Sequence, residues 1–470
     1  MKNTGKYFRY AVLIGFLVMV CSAFYWQIGQ RKLLAAHPAN PQVLHKRQWS
    51  PRGGIFDTYG EVIADSVRQS QGYKRCYYGP KGLASTIGYY SLRYGAAGLE
   101  KTLDRLLMGQ AYPGTSVWGR IRHFLSGSNT GYNVVTTIDL KLQQDIERVF
   151  GNYLGAAVVV EVETGRILAV LSAPGFQPND VDTNWAGIAD NAQSPLYNRA
   201  FAGFYPPGSV FKLIVLAAGL SQGTFHLESV FNDPGMVKVQ GQQISNLNQH
   251  AWGQISLLDA CAVSSNVVFI EMGQQIGSQG ILDMARGFGL GQKPSLTADN
   301  VKPGKLPSDG ISHLELAEIC IGQNELITTP LQLAMVAQAI GNRGLVMEPM
   351  LIDGIIDGQT GARWHNPPKT VGRIFDTQVA DDVLKSMIAV VSKGTGSRAS
   401  LPDVSVAGKT GSAENPKGPA HGWFVGVAPA DNPKIALAII IENGGSGGLA
   451  AQVAKGVLQA YFTGERKAPQ

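Results

Sequence analysis

The first hydrophobic feature of the chain is an uncharged run at 10–30 that follows Lys2, Lys6 and Arg9. As a helix, this run is about 30 Å long, which is enough to cross the hydrocarbon core of a bilayer. No small-x-small cleavage pattern precedes the next charged residues, so the run predicts an uncleaved signal anchor. We therefore expect a single-pass protein of the cytoplasmic (inner) membrane, with a cytoplasmic tail at 1–9 and everything after the anchor outside the cytoplasm.

The segment at 31–130 has a less regular pattern of hydrophobic and polar residues. Its clearest part consists of the run 52–57, a turn and the run 60–64, which together predict a strand, a turn and a strand. We assign 31–130 to a small juxtamembrane domain. Arg120, Arg122 and His123 in this segment are expected on a solvated helix face.

A sharper alternation of apolar and polar positions begins near residue 131. Asp139 is placed to cap a helix at 140–146. Two early strands (156–162 and 166–172) and three late strands (404–410, 423–428 and 435–441) enclose more than 200 residues of helix and loop. This order predicts an α/β (α+β) fold class for 131–465, with one antiparallel five-stranded sheet closed by both ends of the domain and flanked by helices.

A buried helix is predicted immediately after Pro206, Pro207 and Gly208, which interrupt any regular structure before it. Ser209 suits the N-cap or the first turn, and Lys212 lies three positions later on the same helix face. A buried lysine that has lost part of its proton affinity can deprotonate a serine hydroxyl, so the pair is typical of an activated nucleophile. Ser-x-x-Lys also arises by chance on ordinary helices, so the rest of the chain must decide.

The composition excludes several classes of function. The 470 residues are 44% hydrophobic and 16% charged, with a formal net charge of +6. No dense basic tract with interleaved aromatic residues is present, which argues against nucleic-acid binding. The four cysteines have no paired short spacing, so a zinc site or a disulfide framework is not expected, and Cys261 and Cys320 are predicted to be core residues. Nothing in the sequence indicates a cofactor.

Two further motifs follow the first in a fixed order. Ser-x-Asn lies at 264–266 and Lys-Thr-Gly at 409–411, after Ser-x-x-Lys at 209–212. Each is weak alone, but the three in this order resemble the signature of penicillin-binding proteins and serine β-lactamases. Other segments are similar to class B penicillin-binding proteins, the monofunctional transpeptidases of peptidoglycan synthesis, and most similar to their small PbpA-type members. The class B segments are 52–57, 137–139, 142–143, 198–200, 321–323, 329–334 and 423–426, and the PbpA-type resemblance rests on 90–95 and 98–100 in the short juxtamembrane part.

The resemblance implies a set of roles in the catalytic cycle. Ser209 attacks the penultimate D-alanine carbonyl of a stem peptide, and Lys212 is its base. Ser264 carries the proton to the departing D-alanine, and Asn266 bonds Lys212 and the substrate amide. The positive potential comes from Lys409.

The resemblance also implies a substrate-binding strand. Thr410 holds the terminal carboxylate of the substrate, and Gly411 is the next residue of the motif. The backbone N–H groups of Ser209 and Ser412 form an oxyanion hole. β-Lactam antibiotics would acylate the same serine. Class B proteins usually work with a membrane glycosyltransferase of the SEDS type, so such a partner is implied.

Two alternatives to the transpeptidase remain open at this point. A hydrolytic relative (a D,D-carboxypeptidase, a β-lactamase or a β-lactam sensor) shares the three motifs, although a fast β-lactamase needs a deacylating base that these motifs do not include. A non-catalytic scaffold for cell-wall synthesis belongs to a different class, and the intact Ser209, Lys212, Ser264 and Lys409 argue against it.

Other apparent motifs are rejected because residues that they require elsewhere in the chain are absent. The run 408–410 is similar to the end of a phosphate loop, but Asp403 occupies the position of the required first glycine. The glycine-rich 444–448 fits a nucleophile elbow, yet no histidine follows it, so we interpret it as a turn between strand and helix. His421 is expected to be packed or solvated. Asn324 stands where relatives commonly have Gly, and it is expected to tolerate a left-handed backbone.

Overall fold

The computed structural model describes residues 4–26, 45, 47–114, 116, 130–308, 310–416 and 418–464. The end of the predicted anchor at 27–30 and the predicted helix face of Arg120, Arg122 and His123 lie outside these residues.

The N-terminal helix is apolar and does not pack on the rest of the protein. It covers Thr4–Phe24, and its part Lys6–Phe24 is the one helix in the described ranges that is long and apolar enough to cross a membrane. None of that part is buried against other residues. The chain therefore carries a helix that is compatible with a membrane anchor, and its start precedes the predicted uncharged run.

The helices range from single turns to the long N-terminal helix α1. In the described residues they are α1 (Thr4–Phe24), α2 (Ala84–Ile87), α3 (Gly98–Thr102), α4 (Asp104–Leu107), α5 (Leu140–Phe150), α6 (Trp185–Ala189), α7 (Arg199–Ala202), α8 (Lys212–Ser221), α9 (Leu257–Val263), α10 (Asn266–Ile276), α11 (Ser278–Gly287), α12 (His313–Cys320), α13 (Pro330–Gly341), α14 (Thr377–Lys393) and α15 (Gly447–Thr463).

The strands form two larger sheets and several two-stranded ribbons. In the described residues they are β1 (Ile55–Phe56), β2 (Val62–Gln69), β3 (Gly72–Tyr77), β4 (Tyr90–Ser91), β5 (Gly95–Ala96), β6 (Tyr132–Thr136), β7 (Gly155–Glu161), β8 (Ile167–Ala173), β9 (Val230–Asp233), β10 (Met236–Val239), β11 (Gln242–Ser245), β12 (Gly253–Ser256), β13 (Leu345–Met347), β14 (Ile352–Asp357), β15 (Arg363–His365), β16 (Thr370–Arg373), β17 (Ala407–Ala413), β18 (His421–Ala428) and β19 (Ile435–Ile441).

The predicted five-stranded antiparallel sheet is confirmed. Its order is β17-β18-β19-β7-β8, and each neighbouring pair is antiparallel. Successive residues alternate between two cores, so that Val158 packs with α13 on one face and Val159 packs with α5 and α15 on the other. Both faces are therefore covered by helices, as the fold class requires.

The first of the late strands lies three residues later than predicted. It was expected at 404–410 but covers Ala407–Ala413, so Lys409 lies inside the strand and not at its end. Thr410 is of a residue type enriched in strands, whereas Gly411 and Ser412 are not. They extend the strand because they pair with β18 in continuous register, with Ser412 opposite Gly422.

The long middle segment contains more strand than the sequence predicts. We expected only helices and loops between 172 and 404, but the ribbons β9–β12, β10–β11 and β13–β16 lie there. Each of these strands has three or four residues, too few to show a clear alternation of apolar and polar positions.

A six-stranded mixed sheet combines strands from distant parts of the chain. Its order is β15-β14-β6-β1-β2-β3, with β1 and β6 parallel. The strand, turn and strand predicted in 52–64 are confirmed as β1 and β2. Because β14 and β15 come from 352–365, this sheet joins the N-terminal part of the chain to the part that carries the three motifs. The domain boundary at 130/131 stays a prediction.

The helix that the sequence predicts at 140–146 gives a direct test of local stability. The Asp139 side chain accepts a hydrogen bond from Leu142 N at 2.9 Å, which is the expected cap. We expect Asp139→Ala to lower the free energy of unfolding by about 1 kcal/mol. Asp376→Ala is the matched control, because Asp376 precedes α14 without a capping hydrogen bond from its side chain. Equal losses for the two variants in chemical denaturation would contradict the capping role.

Candidate active site

Ser209 lies in a tight turn at the start of α8. The turn is a 3₁₀ helix covering Gly208–Phe211, and the α-helix follows directly from Lys212. Gly208 has a φ of 53°, a left-handed conformation that suits glycine, and this breaks the preceding chain as predicted. Ser209 is half-buried and therefore reachable by a substrate.

The Lys212 side chain is fully buried and hydrogen-bonded within the site. It is 0% exposed, and its Nζ atom donates to the Ser264 carbonyl at 2.8 Å and to Asn266 Oδ1 at 2.7 Å. Ser264 Oγ is 3.3 Å away. Among the residues that the structure describes, the Ser209 hydroxyl makes no hydrogen bond to Lys212. Such contacts in an empty catalytic site often tighten only when substrate binds.

The Ser264–Asn266 segment is a sharp turn between two helices. α9 ends at Val263, and Ser264 adopts the left-handed conformation with a φ of 62°. Ser265 then caps α10 by accepting from Val268 N at 3.1 Å. The reversal turns the side chains of Ser264 and Asn266 toward Lys212.

Lys409, on a strand of the five-stranded sheet, contacts the same Ser264 hydroxyl group as Lys212 does. It is 0% exposed on β17, and its Nζ atom contacts Ser264 Oγ at 2.8 Å and the Thr410 carbonyl at 3.2 Å. The Ser264 hydroxyl therefore lies between two buried lysines. The sequence motifs come together as predicted, although Lys409 reaches the site from the interior of its strand.

The two lysines have lowered proton affinity for physical reasons. Burial lowers the pKa of Lys212 well below its ordinary value, and the nearby Lys409 charge lowers it further. Burial lowers the pKa of Lys409 to about 8. The Lys409 charge therefore favours the neutral form of Lys212, which is a neutral amine beside a charged one.

The end of β17 forms one wall next to the serine. The Thr410 and Thr395 hydroxyls are 2.6 Å apart. Gly411 leaves room for the backbone before Ser209, since a Cβ there would lie 3.0 Å from the Pro207 carbonyl oxygen. Ser412 is exposed, and a Cβ on Gly208 would lie 2.5 Å from its carbonyl oxygen. The Lys-Thr-Gly strand therefore runs directly beside the turn that carries Ser209.

Comparisons with known proteins agree with this geometry. A family model described as the penicillin binding protein transpeptidase domain matches residues 155–459, and one described as the penicillin binding protein A dimerisation domain matches 52–135. The chain belongs to the penicillin-binding protein transpeptidase family. It is 32% identical over 488 aligned residues to the peptidoglycan D,D-transpeptidase PbpA of Mycobacterium tuberculosis, covering 96% of each chain. The predicted PbpA-type resemblance is confirmed.

Two other relatives extend this result. PbpA of Mycolicibacterium smegmatis is 31% identical, with 96% of this chain and 97% of the relative covered. The structure of penicillin-binding protein A from M. tuberculosis as an imipenem acyl-enzyme complex superposes with a TM-score of 0.80 at 31% identity. That superposition covers 89% of this chain and 100% of the relative's.

Sequence reasoning missed some residues of this penicillin-binding protein site. Thr395, which contacts Thr410, lies between Gly394 and Gly396, and its N–H donates to the Ala262 carbonyl at 3.2 Å. A glycine on each side of a threonine is the signal that could have indicated such a close approach. Asn246, which accepts from Asn266 N at 2.7 Å, has no local signal, since 20 residues separate the two.

The other candidates from the sequence have packing roles. Cys261 and Cys320 are core residues, as predicted, and burial raises the pKa of both thiols, that of Cys320 to about 12. His421 packs edge-on against Tyr205 and accepts from Asn443 N at 3.1 Å. Trp423 is fully buried and donates to the Pro206 carbonyl at 2.9 Å. Among the described residues, no cluster of His, Cys, Asp or Glu is arranged to hold a metal ion.

The glycine-rich and left-handed positions expected near the site also agree with the structure. The run 444–448 covers the end of the connection from β19 and the first two residues of α15, and Asn324 adopts the left-handed conformation with a φ of 66°. Gly322 is left-handed as well, with a φ of 77°, and its carbonyl accepts from Gly208 N at 2.9 Å. The loop at 322–324 therefore holds the turn at 208–211 in place through the hydrogen bond between Gly208 and Gly322.

Gly322 gives a test of this support. We expect Gly322→Ala to slow covalent labelling by penicillin by about 10- to 100-fold, because a Cβ would lie 1.9 Å from the Gly208 carbonyl oxygen and displace Ser209. Gly289→Ala is the matched control, since Gly289 is also left-handed but has open space around its Cβ position. The rate of labelling by a fluorescent penicillin measures both. Equal rates in the two variants would contradict the supporting role.

Proposed function

We propose that this chain is a peptidoglycan D,D-transpeptidase, which cross-links stem peptides through an acyl-enzyme on Ser209 and is inhibited covalently by β-lactams. The observation that carries the proposal is the position of the Ser264 hydroxyl between the buried amines of Lys212 and Lys409. This arrangement offers a base, a proton relay and a fixed positive charge within one enclosed site. Family membership and the acyl-enzyme state of the M. tuberculosis relative support the same chemistry.

Acylation begins with the neutral form of Lys212. A neutral amine has two N–H groups and one lone pair. The Ser264 carbonyl and Asn266 Oδ1 accept the two N–H groups, so the lone pair is left to take a hydroxyl proton. As that proton moves from Ser209 to Lys212, the Ser209 oxygen attacks the carbonyl carbon of the penultimate D-alanine.

The leaving group receives a proton through the hydrogen bond between Lys212 and Ser264. Collapse of the tetrahedral intermediate breaks the bond between the carbonyl carbon and the nitrogen of the terminal D-alanine. Ser264 gives its hydroxyl proton to that nitrogen and regains one from Lys212, whose Nζ atom is 3.3 Å from Ser264 Oγ. The released D-alanine makes room for an acceptor amine, which attacks the ester carbonyl to form the new amide bond. The bond to the Ser209 oxygen breaks, and the proton that the amine loses returns to Ser209 through Lys212.

The remaining motif residues are proposed to bind the negative charges of the oxyanion and of the donor's terminal carboxylate. The backbone N–H groups of Ser209 and Ser412 are proposed to hold the oxyanion. Lys409 and Thr410 are proposed to hold the terminal carboxylate of the donor peptide, with Gly411 keeping the strand close to it. The second N–H of the Asn266 amide is available to a substrate carbonyl, since the first donates to Ser245 O at 2.7 Å.

The cellular setting follows from the N-terminal helix. We propose that α1 anchors the protein in the cytoplasmic membrane with the catalytic part outside the cytoplasm, where peptidoglycan lies. The juxtamembrane segment at 31–130 and the transpeptidase part at 131–465 remain proposed domain bounds. A SEDS-type glycosyltransferase is the proposed partner, reached through the anchor and the juxtamembrane part.

The nucleophile is tested by intact-mass spectrometry of the full-length protein in detergent with penicillin. We expect the wild type to gain one drug mass, mapped to the peptide that contains Ser209, and to keep it for hours. Ser209→Ala should gain none, because it lacks the hydroxyl oxygen that forms the ester. Ser221→Ala is the matched control, as Ser221 is an exposed serine at the end of the same helix, and it should label normally. Label on Ser209→Ala would overturn the assignment.

The lifetime of the adduct separates the alternatives. An adduct that forms and disappears within seconds would favour a β-lactamase over the transpeptidase. A wild type that never forms an adduct would favour the scaffold.

The lysines predict the pH dependence of acylation. We expect the second-order rate constant to rise as Lys212 loses its proton and to fall as pH passes about 8, where Lys409 loses the charge that binds the carboxylate. Lys409→Arg should acylate more slowly but keep its rate above that pH, because a guanidinium stays protonated. Penicillin labelling rates across the pH range measure both. A wild-type rate that is constant through the alkaline range would contradict the role of Lys409.

A further inference from the structure

A buried carboxylate lies behind the turn that carries Ser264 and Asn266. Asp233 is the last residue of β9 and is 0% exposed. Its Oδ1 atom accepts from Gly235 N at 2.9 Å and from Asn246 Nδ2 at 2.8 Å. Its Oδ2 atom accepts from Ser265 Oγ at 2.6 Å and from Asn246 Nδ2 at 2.9 Å. Both oxygens therefore serve as acceptors, which is the bonding pattern of a carboxylate anion.

Two side chains connect this carboxylate to the catalytic turn. Ser265, between Ser264 and Asn266 in the chain, donates its hydroxyl proton to Asp233 and accepts from Val268 N at 3.1 Å, so its orientation is determined at both ends. Asn246 donates to Asp233 through Nδ2, which leaves its Oδ1 atom to accept from Asn266 N at 2.7 Å. The carboxylate thus sets the orientation of both side chains.

We propose that Asp233 is a positioning residue of this active site, which holds the Ser264–Asn266 turn through Ser265 and Asn246 and places a negative charge behind the two lysines. The inference rests on the proposed function, because its readout is acylation of Ser209. A carboxylate is suited to this position, since it accepts every one of these donors and needs none in return.

The negative charge of Asp233 affects the pKa of Lys212, the proposed base. The titratable groups that face Lys212 from the surrounding elements are Lys409 on β17, Cys261 on α9, Cys320 on α12 and Asp233 on β9. Burial and the Lys409 charge lower the pKa of Lys212, whereas Asp233 raises it. Because burial raises the pKa of both thiols, they are neutral near pH 7. Asp233 is then the negative charge that limits how far the Lys212 pKa falls.

The test compares Asp233→Asn with Ser265→Ala in full-length protein in detergent. Asp233→Asn keeps the size of the side chain but removes its charge. We expect it to acylate about 10- to 100-fold more slowly, because the turn is displaced. Its acid limb, where the rate rises with pH, should also move to lower pH, since the Lys212 ammonium loses a stabilising charge. Ser265→Ala removes a donor and keeps the carboxylate, so we expect slower acylation with the acid limb unmoved.

Each outcome decides the inference. A wild-type rate and pH profile in Asp233→Asn would overturn it, and so would a slower rate with an unmoved acid limb, which indicates a purely structural contact. Melting curves by circular dichroism show whether Asp233→Asn is folded. If it is not, a wild-type acylation rate in Ser265→Ala overturns the inference, and a slower one supports it. A wild type that penicillin does not acylate at Ser209 would instead refute the proposed function.

Discussion

The site depends on keeping two amines out of water beside one hydroxyl group. Lys212 and Lys409 are both fully buried, and both contact Ser264 Oγ. Burial of two like charges costs free energy, because both are removed from water and they repel each other. Loss of the proton from one lysine lowers that cost. Lys212 is the one whose pKa falls well below its ordinary value, and it lies one helical turn from Ser209. The same burial that lowers stability thus favours a neutral amine at the position of the proposed base.

Three distant parts of the chain must meet for this pair to form. The turn before α8 brings Ser209, the α9–α10 turn brings Ser264, and the edge strand of the five-stranded sheet brings Lys409. Hydrogen bonds from Trp423 to the Pro206 carbonyl and from Gly208 N to Gly322 O hold the nucleophile turn against the sheet and the helical layer. The close packing explains why glycine occurs on both sides of the contact between Gly208 and Gly322.

Much of this architecture could be predicted because it has local signals. The helix after Gly208, the cap at Asp139 and the long strands of the central sheet follow from periodicity and residue type. The order of three motifs predicted which residues come together at the proposed active site. The short ribbons in the middle segment, the start of β17 and the contacts of Asp233, Asn246 and Thr395 could not be predicted. Pairing and packing between residues far apart in sequence create them, and no window of sequence contains both partners.

The most direct test of the account is the protonation state of Lys212 itself. The ¹³Cε and ¹⁵Nζ resonances of lysine-labelled protein can be followed by NMR against pH, with Lys212 and Lys409 assigned from single Lys→Arg variants. We expect the Lys212 resonance to be that of a neutral amine at pH 7, while Lys409 stays an ammonium until pH approaches about 8. Two ammonium groups at pH 7 would contradict the account, because the serine would then have no base beside it.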